Sequence, residues 1–194
     1  KKRLADPETR AKIKADMRKG LAERGFVDYA FAFVASHRAN PEFNGKNIAQ
    51  ITKSVRNADS LDEQIEQIFT MYEAGGAQMV YQVMSEDDVR TIMQDPFTMI
   101  ASDSGVREFG SGVPHPRGYG NNARVLGRYV RELKIVSLED AIRKMTSLPA
   151  NVFGFRDRGQ IREGFVADIV IFDEKTVSDK ATFENPHRYA VGFS

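Results

Sequence analysis

Chemistry needs a reactive group held at a fixed place, and Asp103 is the first candidate. The apolar run Met99-Ile100-Ala101 leads into Ser102-Asp103-Ser104-Gly105. In parallel α/β folds, catalytic groups stand at the C-terminal ends of strands, where the connecting loops build a pocket. A carboxylate there can ligate a metal or accept a proton from a metal-bound water; both require an ionised oxygen. Asp-Ser-Gly is also ordinary turn chemistry, and spacing alone favours the turn. The second candidate is Pro114-His115-Pro116-Arg117-Gly118. Its two prolines leave His115 and Arg117 with less conformational entropy to lose on binding a ligand. The planar fork of Arg117 suits a carboxylate, gripped by two parallel hydrogen bonds. On the residues alone, pairing with a protein carboxylate or exposure to solvent is the commoner fate of such an arginine.

The three histidines, His37, His115 and His187, are far apart and show no His-x-His or His-x3-His spacing. With no cysteine in the chain, disulfides and thiolate ligands are excluded, so no metal site is expected from these residues by themselves. His37, after an apolar stretch, reads as a hydrogen-bonded structural residue, and His187 as exposed. Arg107 and Glu108 are placed either to tune Asp103 or to form a solvated loop pair. The phenylalanines 26, 31, 33, 69, 153, 155, 165 and 172 read as core. Gly118-Tyr119-Gly120 lacks the strand-to-helix turn that a phosphate-binding loop needs.

The elements that must position these groups alternate between helix and strand. Asp6 and Pro7 open a helix whose Ile13, Met17 and Leu21 form one buried stripe, and Gly25 ends it. Phe26–Val34 reads as a strand covered on both faces, with turns at Asn40-Pro41 and Asn44-Gly45. Helices are expected over Ile48–Val55 and Leu61–Tyr72, the second capped by Ser60 and ended by Gly75-Gly76. A strand over Gln78–Met84, a helix capped by Ser85 and ending before Pro96, and a strand over Phe97–Ala101 then bring the chain to Asp103. A long loop over Gly105–Asn121 has the length of a binding element or lid. Two more helices follow, Arg124–Leu133 and Ser137–Thr146, and Gly159–Asp173 reads as a β-hairpin turning at Gly164.

Several of these segments resemble one known family. Ser102-Asp103 after the apolar run, His115-Pro116-Arg117, and Arg124-Val125-Leu126-Gly127-Arg128-Tyr129-Val130-Arg131-Glu132 are similar to the N-acyl-D-amino-acid deacylases of the amidohydrolase superfamily. Leu138–Ala150 and Gly159–Val170 resemble that family's final barrel helix and its return into a small β-domain. The resemblance runs from about Asp6 to the end and is most specific from Asp88 to Asp173. It implies an α/β fold: the C-terminal part of a metal-dependent hydrolase (β/α)8 barrel, with an inserted helical region and a fragment of a small β-sandwich domain. Residues 1–158 would be partial barrel with the insertion, and residues 159–194 the fragment of the β-domain. It further implies that Asp103 is the catalytic aspartate and a possible ligand of a second metal. Arg117, and more weakly His115, would bind the substrate's carboxylate. The family's zinc is held chiefly by a His-x-His motif and other residues of earlier strands, which this chain does not contain, and Ser104 stands where Gly commonly follows the aspartate.

The expectation is therefore a hydrolase of N-acyl-D-amino acids whose missing N-terminal half of the barrel carries the metal. The 194 residues alone would be inactive, would bind no zinc, and could self-associate through open barrel edges. An amidohydrolase of cyclic amides and a non-catalytic interaction module are the alternatives. A net charge of +1 gives no pull toward nucleic acid or an anionic membrane. The lack of cysteine and of an apolar leader after Lys1-Lys2-Arg3 points to a cytoplasmic location.

Overall fold

A single turn, α1 (Lys2–Ala5), leads into Asp6, whose carboxylate accepts the Thr9 amide at 2.8 Å and so caps α2 (Pro7–Glu23). Pro7 has no amide to waste at this position. The computed structural model describes residues 2–194, which divide into two compact units. One holds the chain up to Val83 together with Gly110–Pro114; the other holds Met84–Phe109 and His115–Ser194.

In the first unit, β1 (Ala32–Ser36) is followed by α3 (Ile48–Arg56), α4 (Leu61–Glu73) and β2 (Gln78–Tyr81). Asn47 and Gln50 cap α3 reciprocally, and Ser60 caps α4. The two strands pair antiparallel, Phe33 opposite Val80, with an irregularity between Val34 and Ser36. Ala32, Val34, Ile48, Ile51 and Met71 make one core cluster, and Leu4, Ile65 and Phe69 a second beneath α2. The expected strand over Phe26–Val34 begins only at Ala32. Side chains satisfy the backbone before it: Asp28 accepts the Ala30 amide and Gln64 the Tyr29 amide, so this stretch turns instead of pairing.

In the second unit, Ser85 caps α5 (Glu86–Gln94) as expected. The expected strand over Phe97–Ala101 does not form, because no strand of this unit lies alongside; the Ile100 amide donates to the Lys144 carbonyl instead. The loop also ends earlier than expected. At Pro116 it passes into α6 (Arg117–Arg124), which continues as a π-helix over Val125–Glu132, where the Leu133 amide reaches back five residues to Arg128. Pro116, at φ −60°, is already in the helical region and starts this helix seven residues before Arg124. Ser137 caps α7 (Leu138–Met145), and α8 (Ser147–Val152) follows. Met93, Leu126, Tyr129, Ala141 and Val177 form the core.

The hairpin expected over Gly159–Asp173 is absent. The Val166 amide goes to Asp157, and the pairings present are isolated ones, Phe172 with Phe193 and Ser178 with Val191. Two short segments offer too few ladder bonds to offset the entropy of extending them. Ile161 and Val170 are consequently exposed, as are Phe153 and Phe155, which were expected in the core.

Candidate active site

Asp103 has φ +46°, a left-handed conformation that costs a residue with a side chain roughly 1–2 kcal/mol and that Asp and Asn tolerate best. Arg117, the first residue of α6, holds it there: Nη2 donates to both the Asp103 carbonyl and Oδ2, each at 2.7 Å. The carboxylate of Asp103 is otherwise largely in solvent, at 87% exposure, so the two make an exposed ion pair and not a buried one. His115 supports Arg117 from below. Its Nδ1 accepts the Arg117 amide at 3.0 Å, which satisfies one of the first amides of α6. The proton of the neutral ring is thereby placed on Nε2. Burial pushes this imidazole below its usual range, helped by the Arg117 charge, so the ring is neutral at pH 7. Its face packs edge-on against Phe183, ring centres 4.9 Å apart.

These three residues line a cavity of about 620 Å³ within the second unit. Met93, Met99, Ile100 and Phe183 make it apolar on one side. Another side carries Arg124, bonded to Asp179 at 3.0 Å, and Tyr129, whose hydroxyl meets Glu86 at 3.3 Å. Burial works against the charge of Arg124, but Asp179 and, behind it, Tyr129 together outweigh it, and the guanidinium holds its proton more firmly than usual. Burial, then Glu86, pushes the Tyr129 phenol up. The sequence reading missed Arg124 and Tyr129 as partners in one wall. They are five residues apart, a spacing that lines up in a π-helix and falls off the face of an α-helix.

Gly118 and Gly120 explain why this wall can form. A Cβ on Gly118 would stand 2.7 Å from Ser104 Oγ, and one on Gly120 would stand 2.7 Å from Asp179 Cβ. The glycines thus serve close approach of backbone elements, not phosphate binding. Arg107 and Glu108 lie on the exposed part of the loop.

The other histidines are used structurally. His37 belongs to the first unit, where it is buried, accepts the Asn40 amide on Nδ1 and turns Nε2 to the Met71 carbonyl. His187 is half-buried, not exposed as expected, and meets the Tyr119 hydroxyl at 2.9 Å. Among the described residues no group of three or more His, Cys, Asp or Glu side chains could hold a metal ion. The carboxylates along the cavity are those of Asp103, Glu86, Asp179 and Glu184, with Glu86 met by Tyr129 and Asp179 by Arg124.

The pattern of the amidohydrolase family matches residues 59–193. N-acyl-D-glutamate deacylase of Alcaligenes xylosoxydans xylosoxydans is 46% identical over 113 residues, which are 58% of this chain and 22% of that protein. D-aminoacylase of the same organism is 39% identical over 152 residues, 78% of this chain and 29% of that one. This chain belongs to the D-aminoacylase family of the amidohydrolase superfamily. A solved structure agrees. N-acyl-D-glutamate deacylase from Bordetella bronchiseptica, complexed with zinc and a phosphonate inhibitor mimicking the tetrahedral intermediate, matches with a TM-score of 0.73 and 36% identity. The match covers 86% of this chain and 33% of the Bordetella protein. The D-aminoacylase likeness is thus close over this chain, while the chain spans less than a third of either curated relative.

Proposed function

We propose that the protein hydrolyses the amide bond of N-acyl-D-amino acids, and that these residues supply the base and the carboxylate grip of an active site completed by a longer chain. The observation that carries this is the 2.7 Å contact between Arg117 and Asp103 on the cavity wall. A guanidinium already bonded to a carboxylate is a ready site for another one, so the α-carboxylate of a substrate competes with Asp103 for Arg117. Its arrival frees Asp103 beside the substrate amide. Asp103 then accepts a proton from the attacking water and returns it to the departing amine as the carbon–nitrogen bond breaks. His115 keeps Arg117 in place by capping its amide. The zinc seen in the Bordetella relative would have to be held chiefly by side chains outside these residues. In this reading residues 1–158 belong to the barrel with its insertion and residues 159–194 to the small β-domain.

The test is hydrolysis of N-acetyl-D-glutamate, N-acetyl-D-leucine and their L-enantiomers by the whole zinc-loaded protein. Release of amino acid from at least one D-substrate and from neither L-substrate is expected, with none from the 194-residue chain supplied with zinc. Inertness of the whole protein toward every D-substrate would overturn the reading.

A further inference from the structure

The segment that carries Asp103 into the cavity has no strand ladder to hold it. Its backbone is taken instead by two adjacent residues of α7. Lys144 is wholly buried, and its ammonium donates to the Asp95 carbonyl and, at 3.3 Å, to the Thr98 carbonyl. The Asp140 carboxylate lies 3.8 Å from it. The carbonyl of Lys144 accepts the Ile100 amide at 3.1 Å. Beside it, Arg143 Nη2 donates to the Pro96 carbonyl at 2.7 Å. Residues 95, 96, 98 and 100 are thus all fastened to one turn of one helix.

A buried ammonium is tolerated only where oxygens replace its lost water, so the constraint runs both ways. The carbonyls hold Lys144, and Lys144 holds the carbonyls. Ile100 is three residues from Asp103, and consecutive Cα atoms are fixed about 3.8 Å apart, so displacement at Ile100 is passed on to the carboxylate.

We propose that Lys144 is a positioning residue: it pins residues 95–100 to α7 and so sets where Asp103 stands, without touching substrate. This rests on Asp103 being the base of the proposed hydrolysis. Nothing else in the second unit takes as many backbone groups of this segment, and a lysine needed only to fill the core would be replaceable by an apolar residue of its size.

The experiment compares Lys144→Met with Ala141→Gly in the whole zinc-loaded protein. Ala141 is equally buried in α7, and its change weakens the helix without removing a hydrogen bond to residues 95–100. In Lys144→Met, kcat is expected to fall about 100-fold with KM altered less than about threefold, the signature of a misplaced catalytic group. Amide hydrogen exchange is expected to rise roughly tenfold in peptides spanning residues 95–103 and little in those spanning 117–132. In Ala141→Gly the two regions should loosen together and kcat should change by less than about threefold. Uniform loosening in Lys144→Met, or unchanged exchange over 95–103, would overturn the proposal. Should Lys144→Met not fold, Lys144→Gln takes its place, its shorter polar side chain unable to reach both the Asp95 and Thr98 carbonyls, with faster exchange confined to 95–103 expected and no change there overturning the proposal. If the unaltered protein hydrolyses no N-acyl-D-amino acid, the function reading fails, while the exchange pattern still decides the role of Lys144.

Discussion

The two units spend their polar groups differently. In the first, every buried polar side chain serves the fold. Gln64 accepts the Tyr29 amide, Gln67 accepts from Arg56, Thr52 bonds the Ile48 carbonyl, and His37 is held at both ring nitrogens. Its helices α2 and α4 are stitched by Lys14 to Glu66 and Arg18 to Asp62. In the second, cationic and anionic side chains line a cavity, and long stretches lack any ladder. The difference teaches where to look for chemistry: in the unit whose incompletely packed polar groups are not accounted for by stability alone.

The sharpest way to break this comparison is Asp103→Asn, which keeps tolerance for a left-handed backbone and removes the proton acceptor. In the whole protein kcat is expected to fall about 100- to 10,000-fold with unchanged thermal unfolding, read by steady-state kinetics and calorimetry. Next in size is Ile65→Ala. This residue is fully buried in the first unit, and its truncation should cost about 2–5 kcal/mol in denaturant unfolding while leaving kcat intact below the transition. A large fall in kcat there would erase the distinction between the units. Third is Arg117→Met, where loss of a charge-assisted grip of about 1.5–3 kcal/mol should appear mainly as a higher KM. The smallest effect concerns His115. Its folded pKa is depressed, so the unfolded chain takes up a proton first as pH falls. The stability it contributes is present above the ordinary imidazole pKa and is lost as pH drops through the folded value. His115→Gln should flatten that acid-side loss in melting temperatures measured from pH 8 to 5.

The helices were legible in the sequence because their signals are local. Asp6, Ser60, Ser85 and Ser137 each cap the helix that begins after them, and the amide they bind lies three residues away. Strands were not legible to the same degree, since pairing depends on a partner elsewhere in the chain. The apolar runs before Asp103 and after Gly164 have strand composition, but their bonds go to a helix and to isolated partners, Ile100 to Lys144 and Phe172 beside Phe193, and no ladder forms. Of the site, Asp103 and Arg117 stand out by residue type and neighbours, but on that ground alone a turn and a pairing with a protein carboxylate are the commoner readings; their roles come only with the family likeness, and that each is the other's partner is legible in neither. Arg124 and Tyr129 stayed hidden because a helical reading assumes a period of about 3.6 residues.

Gly120 has a consequence for anyone who would engineer this protein. A glycine inside a helix is a standard target for replacement by alanine, which ordinarily gains about 1 kcal/mol of helix stability. Here the added methyl would run into Asp179, the partner of Arg124, so the gain in the helix would be set against a displaced cavity wall. Thermostability and turnover meet at this one position, and a library screened for heat resistance alone would be free to trade the second for the first.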